Sequence, residues 1–518
     1  MVAETSRART AGVWALLLLI IALGAFLRFY RIGSKSLWLD ETATMKLVDR
    51  PYAQVLLAVS THDAHPPLYY AELCGWMHGS RDGVRARAFS AVVGVATLAV
   101  FYALARVLLP RWAALSGTLL LAVSAFQVYF AQEARLYALA VFFTTVSWYF
   151  FVQLVAGRRL ERWQLSIGLA VANAAALYTF YYTAFAIAAQ LLVLLLVWRE
   201  VGRKLVLPWL AWQLLPAAAF GFYVPVITMR MRMLAGLTAP VRYSVASAAG
   251  LSATATQFVA GFLRELSGGY GAMAGALAVV VAILVLAVGA LSLRGRWTAA
   301  VVGLVWLLAP LALLALVSGL FKGHTYEPKH LIVSTPAMAL VVAVGLVWVR
   351  GRLRALAIGT AVALVALNVC SLVCYYRTGV EKENWRAAIG RLNELAVPGD
   401  FVCFNPPYLR LPFVYYYSGP PVLECPSPVT GKPFRSGELT LERRMWLLEA
   451  RSNVAIPNPL VAEALSPYPV LFHERYEDLL GRIDLQLFDA RKAPAPKPSA
   501  QGAPPAEATD APKVPKKK

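Results

Sequence analysis

The chain of 518 residues is 59% hydrophobic and only 15% charged, with a mean hydropathy of +0.59, whereas soluble domains carry about 25% charged residues. This excludes a water-soluble globular protein and reads as a polytopic membrane protein. The formal net charge of +21 is no sign of a nucleic-acid binder, which would gather its basic residues on one soluble face among aromatic platforms.

Crossing the hydrocarbon core takes about 20 mostly apolar helical residues, because every backbone polar group there must be satisfied internally. Eleven such segments are expected, at 12–29, 86–108, 112–130, 135–156, 164–181, 183–198, 206–226, 271–293, 297–319, 329–349 and 354–376. The first run could be a cleaved signal peptide, but its length and the flanking Arg28, Tyr30 and Arg31 favour an uncleaved span with interfacial anchors. Lys and Arg crowd one set of short turns: Arg7 and Arg9, Arg106 and Arg111, Arg158, Arg159 and Arg162, Arg199, Arg203 and Lys204, Arg294 and Arg296, then Arg350, Arg352 and Arg354. The positive-inside rule puts those turns and the N-terminus in the cytoplasm and the C-terminal region outside.

The outer loops are the long ones, and long loops in compact proteins are usually functional. In the first, PYAQVLLAVSTHD and PPLYYAELCGWMHG show apolar residues at helical spacing but are too short to span, so they read as interfacial helices. A second outer loop, about 227–270, is similarly half-apolar. After Tyr376 the apolar runs stop, and 377–491 reads as a small α/β module. In it Asn384 caps a helix WRAAIGRLNELA, Pro398-Gly399-Asp400 turns, FVCFN, VLFHERY and IDLQLF are strands, and LERRMWLLEAR is an amphipathic helix. The tail 492–518, rich in Pro, Ala and Lys, has a disordered composition. Outside the cytoplasm Cys403 and Cys425 could form a disulfide, or both could be buried small apolar groups.

The stretch GSKSLWLDETATM sets Asp40 and Glu41 directly after the first span, where anchors are usual. Two solvated acids there would be ordinary, since a carboxylate costs little at the membrane edge. Their company argues for a site. FAQEARLYAL brings Glu133 and Arg135 to the same side, THDAHPPLYY brings His65, and FKGHTYEPKHLIV brings Lys322, His324, Glu327, Lys329 and His330. No GxxxxGK[ST] phosphate loop is present, which argues against an ATP-driven pump.

LDE after the first span, HPPLYY in the first loop, QEARLYAL, YTFYY and ENWRAAIGRLNELAVPGD together resemble the bacterial glycosyltransferase family 39 and Rgt-like membrane enzymes of the GT-C superfamily. The resemblance implies a polytopic α-helical GT-C-like fold of about eleven spans, with 1–376 as the catalytic membrane domain and 377–491 as an extracytoplasmic module. It also implies a bacterial cytoplasmic-membrane enzyme that moves a sugar, with inversion, from a polyprenyl-phosphate donor to a hydroxyl of a glycan, lipid or protein acceptor. Such chemistry needs a base for the hydroxyl, a cationic clamp for the phosphate and an apolar groove for the lipid.

By this resemblance Asp40 is the general base, Glu41 orients a substrate or assists Asp40, and Glu133 holds a sugar hydroxyl or a cation. Arg135 is the first phosphate ligand, with a competing role as partner of Glu133 or as an interfacial anchor. Lys329 and His330 follow, although the family has an Arg-Tyr pair at that place. His65, Tyr178, Tyr181 and Tyr182 are expected at the sugar or acceptor, unless His65 only starts a helix and the tyrosines only form an interfacial belt. A divalent cation, Mg or Mn, could be held by Asp40, Glu133 and His65. The rival reading is a polyprenyl-lipid or glycan transporter that performs no chemistry.

Overall fold

The structure is a computed structural model. It describes all residues except 1, 63–64, 158–161, 202, 236–246, 296, 321–325, 379–380, 426–443, 453–456, 460, 462–464, 467, 478, 480, 490 and 492–518. The expected tail, Lys322 and His324 therefore lie outside the described residues.

Apolar sequence in lipid has to close its own hydrogen bonds, and the chain does so as helices. Among the described residues seven are long and apolar enough to cross a membrane: Ala11–Phe29, Gly83–Leu108, Tyr137–Ala156, Gly268–Ser292, Trp297–Ser318, Pro328–Trp348 and Arg354–Arg377. The expected span 112–130 is a pair, Arg111–Ala122 and Ala125–Ala131, bent by 57°. The bend has a definable cause: Asn368 Oδ1, from the Arg354–Arg377 helix, accepts the Ala125 amide at 2.7 Å, replacing a broken helical hydrogen bond with a side chain. The segments expected to span at 164–181, 183–198 and 206–226 are the helices Arg162–Thr179, Thr183–Leu196 and Arg203–Gly221, the last with Pro208 and Pro216 inside it. The protein is a multi-pass membrane protein.

The first loop folds into three short helices rather than two, Leu39–Val48, Tyr52–His62 and Leu68–Met77. The last begins after Pro66-Pro67, where fixed φ angles favour a helical first turn. The helix not expected is LDETATMKLV, whose apolar periodicity is weak. Carboxylates hold its start: Glu41 Oε2 accepts the Trp38 amide at 3.3 Å, and Glu383 Oε2 accepts the Leu39 amide at 2.7 Å. Acids at a helix N-terminus satisfy its free amides and oppose its dipole.

The C-terminal region forms a five-stranded sheet from β1 (Phe401–Asn405), β2 (Leu423–Glu424), β3 (Arg444–Ser452), β4 (Val470–Glu477) and β5 (Gly481–Asp489), in the order β2-β1-β3-β5-β4. β1 runs parallel to β2 and β3, and β5 antiparallel to β3 and β4. One expectation is corrected: LERRMWLLEAR supplies β3, the middle strand, and no helix is formed over Arg444–Ser452. Met445, Trp446, Leu447 and Leu448 are all buried, so this is a strand covered on both faces, whose continuous apolar run has no period of two to reveal it. The helix Trp385–Leu395 forms as expected, with Asn384 Oδ1 accepting from the Ala387 amide at 3.3 Å, and it packs Trp385, Ile389 and Leu392 against Trp446 and Leu485. Cys403, in the middle of β1, and Cys425, just after β2, are joined in a disulfide.

On β5, Asp484 is buried and faces two arginines and a histidine: Arg475 Nε at 2.8 Å, Arg482 Nε at 2.9 Å and His473 Nε2 at 3.0 Å. Burial alone would push its carboxyl up, but the bonds from Arg475 and His473 and the charge of Arg482 outweigh it and hold the group below the usual range. A depressed carboxyl stabilises the folded state above its unfolded pKa of about 3.9 and loses that contribution as pH falls through the lower folded value. Thermal unfolding of Asp484→Asn against the parent should thus show a deficit at pH 6 that narrows and vanishes on acidification below about pH 4.

Candidate active site

The acids that follow the first span have separate fates. Glu41 is fully buried, and its carboxylate is enclosed by donors from three parts of the chain. Arg87 Nε and Nη2 reach it at 2.8 and 2.6 Å, the Ala134 amide at 2.8 Å and the Trp38 amide at 3.3 Å. Arg87, itself buried near the start of the Gly83–Leu108 helix, also donates to the carbonyls of Ile32, Lys35 and Ser36. The pair thus pins the loop 32–36, the Leu39–Val48 helix and the turn at Ala134 to one another. Glu41, expected to touch substrate or assist the base, is committed to protein donors and acts on its neighbour by fixing the helix that carries it.

That neighbour is Asp40, whose side chain remains about a third exposed, 35%. Its Oδ2 lies 3.6 Å from Arg135 Nη2. Arg135 is buried and its Nη1 also reaches Thr44 Oγ1 at 3.2 Å, Tyr70 OH at 3.4 Å and the Asp40 carbonyl at 3.4 Å. Arg135 therefore pairs with Asp40 rather than with Glu133.

Glu133 takes its cation from elsewhere. Lys382 Nζ is 2.7 Å from Glu133 Oε1, across 249 residues of sequence, and lies 3.3 Å from the centre of the Trp38 ring. Burial pushes the Glu133 carboxyl above its usual range, with Lys382 pulling it down and the nearby Glu41 charge adding to the rise. Lys329 completes the cluster. Its Nζ pairs with Glu327 Oε2 at 2.9 Å and stands 6.0 Å from the Trp38 ring, and it lies within the field of Asp40. Tyr137 senses Lys329, Arg135, Asp40 and Glu133 together.

The remaining expected residues form an aromatic wall. His330 stacks on Tyr182 with centroids 4.5 Å apart and rings 5° from parallel, and its Nδ1 accepts the Glu327 amide at 3.3 Å. One of its nitrogens is therefore occupied in holding the turn. Tyr181 lies beside Tyr182, and His65 meets Phe180 and Tyr181 edge-on at 6.1 and 6.3 Å. Tyr178 stands apart, donating to the Ala219 carbonyl at 2.6 Å and packing on Phe220.

Among the described residues no three His, Cys, Asp or Glu side chains gather as metal ligands. Asp40, Glu133 and His65 do not form the set suggested for a divalent cation, since each carboxylate faces a side-chain cation and His65 packs among rings. These residues do not fit a resident metal.

A partly open cavity adjoins the cluster, lined by Trp38, Tyr129, Gln132, Glu133, Tyr375 and Lys382 among others. Sequence reasoning missed Lys382, Arg87 and Trp38. Neither Arg87, the second residue of an expected span, nor Lys382, in the charge run EKEN, has a sequence pattern that sets it apart. The signal that could have found Lys382 is its place directly before ENWRAAIGRLNELAVPGD, the segment that carried the family resemblance, between the last long helix and Trp385.

Comparison with known proteins agrees with this architecture. Residues 64–228 match the family of dolichyl-phosphate-mannose-protein mannosyltransferases. No curated protein matches the chain in sequence. In structure the chain is similar to ArnT from Cupriavidus metallidurans in the apo state, with TM-score 0.56 and 13% identity over 94% of this chain and 100% of that one. It is similar to the same protein bound to undecaprenyl phosphate, with TM-score 0.51 and 12% identity over 93% and 99%. The Archaeoglobus fulgidus oligosaccharyltransferase tethered with an acceptor peptide gives TM-score 0.50 and 10% identity over 91% and 73%. The chain has the fold of the GT-C membrane glycosyltransferases, with a PMT-type sequence match over 64–228.

Removing one partner of a buried ion pair leaves the other charge uncompensated, at a cost of about 3–5 kcal/mol. Glu41→Gln should therefore lower the thermal unfolding midpoint of the detergent-purified protein substantially, while substitution of the exposed pair Arg391–Glu394 should leave it nearly unchanged.

Proposed function

We propose that the protein is a membrane glycosyltransferase that transfers a sugar from a polyprenyl-phosphate-linked donor to a hydroxyl of an envelope glycan, lipid or protein, with Asp40 as general base. The observation that carries this is the division of labour among three neighbouring acids. Glu41 is used up by Arg87 and backbone amides and Glu133 is buried against Lys382, while Asp40 alone of the three keeps an exposed carboxylate, poised beside Arg135. A base must reach the proton that it removes, and a buried, fully bonded acid does not.

In the transfer, an Asp40 carboxylate oxygen accepts the proton of the acceptor hydroxyl as that oxygen attacks the anomeric carbon. The bond from that carbon to the donor phosphate breaks on the opposite face, its electron pair passing to the phosphate oxygen, so the sugar is inverted. The polyprenyl phosphate leaves with an added negative charge. Lys329 and Arg135, both near Asp40, are the cations suited to receive it, and fixed cations at a developing charge are a large source of rate in a low-dielectric site. The aromatic wall of His65, Tyr181, Tyr182 and His330 offers apolar faces to sugar or lipid. In this reading the reaction runs at the outer face of a bacterial cytoplasmic membrane, with the N-terminus inside. A structural relative bound to undecaprenyl phosphate supports the donor class.

Asp40→Asn in membranes or proteoliposomes supplied with a polyprenyl-phosphate sugar should reduce transfer about 10²- to 10⁴-fold while donor binding persists. Transfer at the parent rate would reject the base, and an active lipid translocation with no glycosylated product would favour the transporter reading instead.

A further inference from the structure

Lys382 reaches the acids from beyond the last long helix, and its backbone is fastened on both sides. Glu381 Oε2 accepts the Ser36 amide at 2.9 Å, and its carbonyl accepts the Leu479 amide, between β4 and β5, at 2.9 Å. Glu383 Oε2 accepts the Leu39 amide and Trp385 Nε1, and Arg386 donates to the carbonyls of Gly33, Ser34 and Lys35. The segment 381–386 is thus a strap between the sheet module and the loop that precedes Asp40. From it the Lys382 side chain runs inward over Trp38 to Glu133 and lines the cavity.

Two polar atoms on that cavity's lining residues have no hydrogen-bond partner among the described residues: Glu133 Oε2, an acceptor, and Trp38 Nε1, a donor. Both side chains are more than nine-tenths buried. Such atoms are costly unless something completes them. Hydroxyl groups can give a hydrogen bond to an acceptor such as the first and take one from a donor such as the second.

Resting on the glycosyltransferase reading, we infer that Lys382 is a positioning residue of the transfer reaction. It anchors Glu133 through Oε1 so that Oε2, with Trp38 Nε1, is presented to the hydroxyls of the substrate, and the C-terminal module thereby completes the active site. Lys382 holds Glu133 in two senses. It fixes one oxygen at 2.7 Å, and it supplies the cation that opposes the burial of the carboxyl. The other charged and titratable groups around Glu133 are Asp40 and Glu41 from the Leu39–Val48 helix, Arg87 from Gly83–Leu108, Tyr129, Arg135, Lys329, Tyr375, and Arg31 and Lys35 from the loop. Lys382 is bonded to the Glu133 carboxylate.

The test compares full-length wild type, Lys382→Met and Lys382→Arg in proteoliposomes. Lys382→Met should lower kcat by about 10²-fold, the scale expected when a group slips by about 1 Å. It should also move the acid limb of the pH–rate profile to higher pH, since Glu133 then faces burial without its cation. Lys382→Arg should restore most of both. Carbodiimide labelling of Glu133, read by mass spectrometry against pH, supplies a readout that needs no turnover: its midpoint should rise in Lys382→Met and return in Lys382→Arg. A folded Lys382→Met with unchanged pH profile and labelling midpoint overturns the inference, as does equal damage from both variants, which would mean packing alone. A wild type that transfers no sugar from any polyprenyl-phosphate donor defeats the glycosyltransferase reading itself, whatever the labelling shows.

Discussion

A carboxylate removed from water must be ringed by donors or paired with a cation, and Glu41 has both. Its ion pair with Arg87 is the constraint from which the rest of the site follows. Arg87 stands on a long membrane helix and cannot move far. By holding Glu41 and three carbonyls of the preceding loop, it dictates where the Leu39–Val48 helix begins. Asp40, one residue earlier, points a different way from the same turn and is left partly exposed beside Arg135. An acid with no solvent and an acid with some, adjacent in sequence, thus acquire different chemistry from their surroundings alone. Buried pairs are weak evidence of net stability. Their rigid geometry is the better reason for this one.

Charge is distributed around the site in a chain of local pairs: Glu41 with Arg87, Asp40 with Arg135, Glu133 with Lys382, Glu327 with Lys329. Each acid has its own cation, so the cluster is close to neutral without a phosphate. Arrival of a phosphate would have to draw on cations that already have partners, and those with the most exposed acids, Arg135 and Lys329, are the easiest to share.

Much of this was legible in the sequence. Long apolar runs with charge-free centres announce helices whatever their packing, and the two interfacial segments of the first loop were marked by spacing and by Pro66-Pro67. Gathering Asp40, Glu133, Arg135 and Lys329 on one side needed only the order of the spans. What failed did so for physical reasons. MWLLEA has no strand period because β3 is covered on both faces, and the Leu39–Val48 helix owes its start to carboxylates, one of them 344 residues away. The pairing of acids with bases depends on tertiary approach: Glu133 sits two residues from Arg135 yet takes its partner from position 382. Spacing along a chain does not report such approaches.

The strap 381–386 has a consequence for how such a molecule comes into being. The chain lays down Asp40, Arg87 and Arg135 early, and their contacts need only the first membrane helices. Lys382 comes after the last long apolar helix, so during synthesis the pocket stays unfinished until the sheet has emerged and docked. A nascent or prematurely terminated polypeptide would hold the exposed acid beside Arg135 but not the lysine that steadies its companion. The order of residues along the gene product then acts as a timer, withholding a finished pocket until the whole protein is in place.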